Sequence, residues 1–505
     1  MLSLFDNGPQ GPCPAPFNMA AHVLGQSQHQ PEKIALQVLH SDHIEDWTYR
    51  DLEGAVLGIA AGLIASGAAI GDLILMRLGN TVDYPLAYLG ALAAGLVPVP
   101  TSAALTVPEV TQIIAELSPK IILRDPDVAC PPTDNQITLQ DLQQMRSLPP
   151  AQYHMGAPER LGYVVYTSGT SGKPRAVAHA HRAIWARQMM FDGWYGLQED
   201  DRLLHAGAFN WTYTMGTGLM DPWTIGATAM IPAAGTPSHA LPALLATSKA
   251  SIFAAAPGVY RQLLNVPTSL DLPHLRHGLS AGEKLPSGTR NAWTKATQTP
   301  IFEAYGMSEC STFLSASLLK PAKADCLGQP QNGRRIAILG PDGPVPRGVE
   351  GTIAVHKSDN GLMLGYLHAP TETASKMQGD WFLTGDQGIM HDDDQISYLG
   401  RNDDMMNAGG YRVSPIEVEQ AFAGMEGIIA LAATQIEVKA DTFVIAAFYT
   451  GPVALDDTTL KAHAVEQLAH YKRPRLYLHI DALPLGANGK VLRKVLRDSY
   501  DNSAK

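Results

Sequence analysis

The chain has 505 residues, 45% of them hydrophobic and 17% charged, and a formal net charge of -11. That length can bury a large core and divides into more than one domain. The acidic balance excludes a nucleic-acid binder, which needs a basic face to release counterions from phosphate. Four scattered cysteines, Cys13, Cys130, Cys310 and Cys326, form no CxxC pair. Neither a disulfide framework nor a zinc site is expected, and a reducing cytoplasm is the expected location.

Taken in chain order, the opening "MLSLFDNGPQGPCPAPFN" lacks a basic region followed by an apolar run, so no signal peptide is expected. "DLILMRL" (72–78) reads as a buried strand, and "YPLAYLGALAAGLVPVP" (84–100) as a buried helix followed by a loop, short for a membrane span and ended by prolines. "KIILRD" (120–125), "GYVVYT" (162–167), "ATAMIP" (227–232) and "ASIFAAA" (250–256) read as further short buried strands, with amphipathic stretches between them. This is the pattern of an α/β protein with largely parallel sheets. "LGPDGPVPRGVEG" (339–351) and "HDDDQ" (391–395) predict antiparallel hairpins, and the polar "GRNDDMMNAGGYR" (400–412) predicts a linker before a small α+β domain.

One loop carries chemistry on its face. After the strand "GYVVYT" comes "SGTSGK" (168–173), then a basic, helix-friendly stretch. Backbone N–H groups and hydroxyls in such a loop make an anion nest, and Lys173 adds a point charge suited to phosphate. It is not a Walker A loop: Gly169 and Gly172 are too close, and a proline follows the lysine. No GxGxxG follows a strand, so a nicotinamide-binding domain is unsupported.

Five segments follow in order: "SAGEKLP" (280–286), "EAYGMSEC" (303–310), "WFLTGDQG" (381–388), "YLGRNDDMMNAGGYRVSPIEVE" (398–419) and "LPLGANGKVLRK" (483–494). With the loop, they resemble the adenylate-forming superfamily of acyl-CoA synthetases, peptide-synthetase adenylation domains and luciferases. The resemblance spans nearly the whole chain. It implies a large N-terminal domain of stacked α/β sheets with a β-barrel-like subdomain (1–400), a hinge (401–404) and a small mobile α+β domain (405–505). The implied chemistry is activation of a carboxylic acid by ATP, then transfer to a thiol.

The resemblance also assigns roles. Thr167, Ser168, Gly169, Thr170, Ser171, Gly172 and Lys173 would grip the phosphates. Glu309, with Thr170, would bind Mg2+. Tyr305 would stack on adenine, with Gly282, Glu283 and Lys284 lining its other side and Glu303 reaching the exocyclic amine. Gly306, Met307 and Ser308 complete that wall. Asp386 and Arg401 would hold the ribose, and Lys490 would bridge the attacking carboxylate and the α-phosphate. Asp403 stands at the hinge, after whose rotation Gly410 and Tyr411 would form the tunnel for coenzyme A and Arg412 would approach the AMP phosphate.

"FNWTYTMGTGLMDPWTIGAT" (209–228) resembles the acyl-pocket segment of acetyl- and medium-chain acyl-CoA synthetases, with Trp211, Thr212 and Tyr213 lining the pocket. Gly306 stands where acetate enzymes carry a tryptophan, which predicts an open pocket for a larger acid, medium-chain or aromatic. The chain departs from the family pattern at Ala176, in place of a glycine expected to bring the loop close, and at Ser171 and Ser308, which keep their hydroxyls. The final "KVLRKVLRDSY" predicts a helix burying Val491, Leu492, Val495 and Leu496, with Arg493, Lys494 and Arg497 pointing elsewhere. The thiol acceptor is coenzyme A or a separate carrier protein. Lys173, Glu309, Asp386 and Lys490 argue against a non-catalytic regulator. No membrane partner is expected, and a homodimer is compatible with the sequence.

Overall fold

A computed structural model describes residues 1–167, 175–264, 270–282, 284–401, 404–408, 411–439, 442–468, 470–486 and 490–503. The expected residues Ser168 to Lys173, Glu283, Asp403 and Gly410 lie outside these, as do the side chains of Thr167, Tyr411 and Arg412.

Among the described residues the largest sheet has nine strands. Its centre is parallel: Ile34–Leu39, Thr228–Pro232, Arg202–His205, Ile252–Ala254, His277–Ala281 and Ile301–Met307 lie side by side in that order. Helices cover both faces, which is why these strands are short unbroken apolar runs rather than alternating ones. One face packs on Tyr260 and Trp293, the other on Trp194 and Tyr195. Ser311–Ser315 turns back antiparallel on Ile301–Met307.

A second, four-stranded parallel sheet contains Val97–Pro100, Leu73–Arg77, Ile121–Arg124 and Gln136–Thr138. The apolar stretch from Tyr84 is the buried helix Asp83–Ala93, but its expected loop is a strand. Val97–Pro100 is the edge of that sheet, where a proline's missing N–H removes no ladder bond.

The basic stretch after the loop, expected to be helical, is also a strand. Arg175–Ala180 pairs antiparallel with Leu161–Thr167 on one side and with Gly365–Tyr366 on the other. Partners on both edges outweigh the modest helical preference of its alanines. The strands on either side of residues 168–174 are therefore antiparallel neighbours. Ala176 sits inside the strand opposite Tyr166, not in the loop, so its methyl does not bear on the loop's approach to a ligand.

An antiparallel sheet contains Arg335–Gly340, Glu350–His356, Trp381–Met390 and Ile396–Arg401, where the turn-rich segments predicted hairpins. Beyond it, the sheet Ala430–Lys439, Thr442–Thr450 and Leu476–His479 has its own core around Val418, Phe422, Ile445 and Leu460. Half of the expected linker is a hairpin, Met406–Ala408 with Tyr411–Val413. The last helix begins at Arg493, later than expected, and turns a different face inward. Leu496 is buried, whereas Leu492 and Val495 are more than 40% exposed. Arg493 points in to Glu419 at 2.6 Å and to Asp404 at 3.7 Å. Among the described residues no helix is long and apolar enough to cross a membrane.

Candidate active site

Strand register builds one wall of the site. Asp386 and Arg401 are cross-strand partners, with an Nη1–Oδ1 distance of 3.7 Å. Tyr305, near the end of a parallel strand of the large sheet, donates its hydroxyl to Asp386 Oδ2 across 81 residues of sequence. Its ring packs edge-on against Phe313 at 5.3 Å and tilted against Tyr398 at 5.7 Å. Burial and the Asp386 charge hold the Tyr305 hydroxyl well above the ordinary phenol range, so it remains a donor. Three residues expected around a nucleoside thus meet in one place.

Glu309 is brought to the loop hairpin from a different element. Tyr366, paired with Val177 on the strand leaving the loop, donates its hydroxyl to Glu309 Oε1 at 2.7 Å. The backbone N–H of Met363 donates to the Glu309 carbonyl at 2.8 Å. His179, on the same hairpin strand, lies 2.7 Å from the Ser308 carbonyl through Nε2 and stacks on Tyr163 at 4.8 Å. Burial pushes the His179 imidazole down to about 4. Among the described residues no cluster of three His, Cys, Asp or Glu could hold a metal by itself. A single carboxylate does suit Mg2+, which takes one or two protein carboxylates and completes its shell with water and substrate phosphates.

Other expected residues are placed differently. The Glu303 carboxylate is committed: Oε1 accepts from Leu285 N–H at 3.0 Å and Oε2 from Arg290 at 2.7 Å. Burial nonetheless raises its carboxyl above the usual range. These bonds fasten the segment after Gly282, where Lys284 is half-buried, and leave the exocyclic-amine role without a geometric argument.

The backbone leaves Gly306 no space for a side chain of its own. A Cβ there would lie 2.0 Å from the Ser311 carbonyl oxygen and 2.4 Å from Thr312 Cα. Gly306 is needed for the close approach of the returning strand, and the residue itself remains partly exposed. Met307 ends the same strand and Ser308 is exposed beyond it.

Lys490 is exposed, on a turn closed by Gly486 N–H to the Lys490 carbonyl and Leu492 N–H to the Pro484 carbonyl, both 2.8 Å. Its ammonium pairs with no described residue.

At the acyl-pocket segment, Trp211 and Tyr213 meet edge-on at 5.1 Å, while Thr212 between them is exposed and takes no part in the contact. His205, which the sequence reading passed over, joins them; its position at the carboxyl end of a parallel strand is where ligands gather in such sheets. Beneath lies a buried pair, Arg187 with Asp221, at 2.8 and 2.6 Å, with Arg187 also donating to Ser311 Oγ at 2.6 Å.

The family model for AMP-binding enzymes matches residues 24–367. The chain belongs to the AMP-binding enzyme family. It is similar to the mitochondrial acyl-coenzyme A synthetase ACSM2B of Homo sapiens, at 26% identity over 96% of this chain and 91% of that protein. It is equally similar to a benzoate–CoA ligase of Thauera aromatica, at 26% identity over 92% of this chain and 93% of that one. The AMP-binding enzyme also shares its fold with the anthranilate CoA ligase AuaEII, solved with anthranoyl-AMP, at a TM-score of 0.87 and 23% identity over 97% and 99% of the two chains. The fold expected from the motifs, adenylate-forming with a large α/β portion and a small C-terminal one, is the fold found.

Proposed function

We propose that this AMP-binding enzyme is an acid–CoA ligase acting on a carboxylic acid larger than acetate. The observation that carries the reading is the meeting of Tyr305, Asp386 and Arg401 in one wall, in a chain whose sequence carries "SGTSGK" between two paired strands. A carboxylate with two oxygens can accept both ribose hydroxyls, an aromatic ring offers a face to adenine, and the loop offers N–H groups to phosphate.

In the first half-reaction the acid's carboxylate oxygen attacks the α-phosphorus of ATP. The bond to the bridging oxygen breaks, and pyrophosphate leaves. In the second, a thiolate attacks the acyl carbon, and AMP leaves with the electron pair of the acyl–oxygen bond. The first step brings two anions together, so cationic and dipolar groups must already stand around the phosphates. Lys173 and the loop amides supply that charge, and Lys490 adds it at the reacting carboxylate. Glu309, steadied by Tyr366, is the residue that would hold Mg2+, which when bound neutralises phosphate oxygens.

Lys490 serves only the first half-reaction, and residues 401–404, with Asp403 at the hinge position, form the hinge about which the small domain turns for the second. An exposed ammonium that pairs with no described residue suits such a moving group, since no bond among those residues must break before it travels. Gly410 and Tyr411 then line the thiol tunnel, and Arg412 meets the AMP phosphate.

The acid is medium-chain or aromatic. This rests on Gly306 standing where a bulky tryptophan would close the pocket, on the aromatic surfaces of Trp211 and Tyr213 and on the ligases that the chain resembles. Pyrophosphate release with ATP and Mg2+ across acids from acetate to decanoate, with benzoate and phenylacetate, tests it, each with and without coenzyme A. Release with one of the larger acids and a matching acyl-CoA product is expected. Preference for acetate overturns the acid assignment. Release with no thioester formed transfers the second step to a carrier protein.

A further inference from the structure

Next to Glu309 in the fold lies an ion pair that the chemistry above does not use. The side chains of Arg334 and Asp359 are both fully buried, and Arg334 Nη1 donates to Asp359 Oδ1 at 2.6 Å. Each is fastened a second time. Arg334 Nη2 donates to the Thr312 carbonyl at 2.9 Å, and Asp359 Oδ1 accepts the N–H of Gly361 at 2.7 Å. Cys310, the residue after Glu309, is buried against both: its sulfur is 3.9 Å from Asp359 Oδ1 and 4.0 Å from Arg334 Nη1. A Cβ on Gly361 would fall 2.8 Å from Arg334 Nη1, so the loop 359–363 closes on the pair because that residue has no side chain.

A fully buried ion pair is a weak source of stability, since desolvation of the two charges offsets most of their attraction. What this pair supplies is direction. The loop that Asp359 opens leads to Glu309 twice. The N–H of Met363 donates to the Glu309 carbonyl at 2.8 Å, and Tyr366, three residues on, donates its hydroxyl to Glu309 Oε1 at 2.7 Å. Between these contacts the Leu364 N–H donates to the Ala178 carbonyl at 2.8 Å, on the strand Arg175–Ala180. Arg182, just beyond that strand, donates to the Leu362 carbonyl at 3.3 Å. One short loop therefore joins the Glu309 carboxylate to the strand that follows "SGTSGK".

We propose that Arg334 and Asp359 are positioning residues for acid activation: their pair fixes the loop 359–363, and the loop sets where the Glu309 carboxylate meets the metal ion. This rests on the ligase reading above, in which Glu309 holds Mg2+. Both side chains are sealed from solvent, so they act through Met363 and Tyr366 rather than on the ligand.

The test is the gain in ATP affinity that Mg2+ confers, read by titration calorimetry without acid as the ratio of Kd in EDTA to Kd in Mg2+. AMP binding in EDTA is titrated alongside. Arg334→Met combined with Asp359→Asn removes both charges and leaves neither unpaired. It is expected to cut the gain about fivefold or more, since a misplacement of about 1 Å is costly, and to keep AMP affinity within about twofold of wild type. Glu309→Gln alone should remove most of the gain. Adding the pair substitutions to it should change little further, because groups that act through one residue are not additive. Gly361→Ala keeps both charges, displaces the loop, and should cut the gain in the same direction by less.

A folded double variant with the full wild-type gain overturns the proposal. So does a fall in AMP affinity as large as the fall in gain, a full gain in Glu309→Gln, or an equal loss from the pair substitutions in that background. If the double variant does not fold, an unaltered gain in Gly361→Ala overturns it. Acid-dependent pyrophosphate release by the wild-type protein is measured separately. Its absence with every acid overturns the ligase reading and this inference together; its presence leaves the ligase reading standing whatever the calorimetry returns.

Discussion

The wall formed by Tyr305, Asp386 and Arg401 and the turn bearing Lys490 are opposite kinds of structure. The wall is knit from strand register: Asp386 faces Arg401 across a ladder and takes a hydroxyl from a second sheet. Lys490 stands exposed on a turn held by two backbone bonds, its ammonium unpaired among the described residues. Groups that bind are fixed before the ligand arrives, at the cost of burying charge and hydroxyl together. A group needed in one step and absent from the next must be free to leave.

The largest expected effect falls on the Lys490 turn. Lys490→Ala should lower acid-dependent pyrophosphate release by about 10²–10³-fold, the scale of losing one preorganised charge at a reacting centre. It should leave thioester formation from supplied acyl-adenylate within a few-fold of wild type. Equal loss in both half-reactions, measured by single turnover, would break the contrast.

On the fixed side the effects should appear in stability and nucleotide binding. Arg187→Ala leaves the buried Asp221 carboxylate without its cation and should cost about 3–5 kcal/mol in urea unfolding. Gly306→Ala should cost about 1–3 kcal/mol, because its methyl meets backbone. It should also weaken turnover of small and large acids alike; a selective loss of large acids would mean that the methyl narrows the pocket rather than displacing the strand. Asp386→Asn should raise the KM for ATP by roughly tenfold, about the worth of one charge-assisted bond, with little change in kcat.

The mildest test is acidity. His179 is held down to about 4 and His205 to about 3 by burial, so between these values and the ordinary imidazole range the unfolded chain binds protons that the folded one refuses. Stability contributed by these groups is full above about pH 6.5 and is lost as pH falls through the folded values. The thermal midpoint should be flat above neutrality and decline on acidification, and His179→Gln should flatten part of that decline.

Much of this was legible in the sequence, for identifiable reasons. The runs at 72–78, 120–125, 227–232 and 250–256 became strands because an unbroken apolar stretch of that length suits a parallel sheet buried on both faces. Asp386 and Arg401 were readable because both lie in motifs rich in chemistry. The stretch 175–180 misled because alanine favours helix locally, while its partners on both edges lie elsewhere in the chain. The last helix misled because the half-buried Glu419 draws Arg493 inward, against the rule that charge faces water.

By itself the sequence determined the fold class, which follows from local periodicity, and the order of the motifs, whose resemblance to a known family implied the type of chemistry. Only the tertiary structure decided that the returning strand crowds Gly306, that Glu303 belongs to Arg290 and Leu285, and that His205 and Tyr213 meet edge-on. Each depends on where side-chain vectors point once strands distant in sequence lie in register. A one-residue slip would turn every such vector to the opposite face.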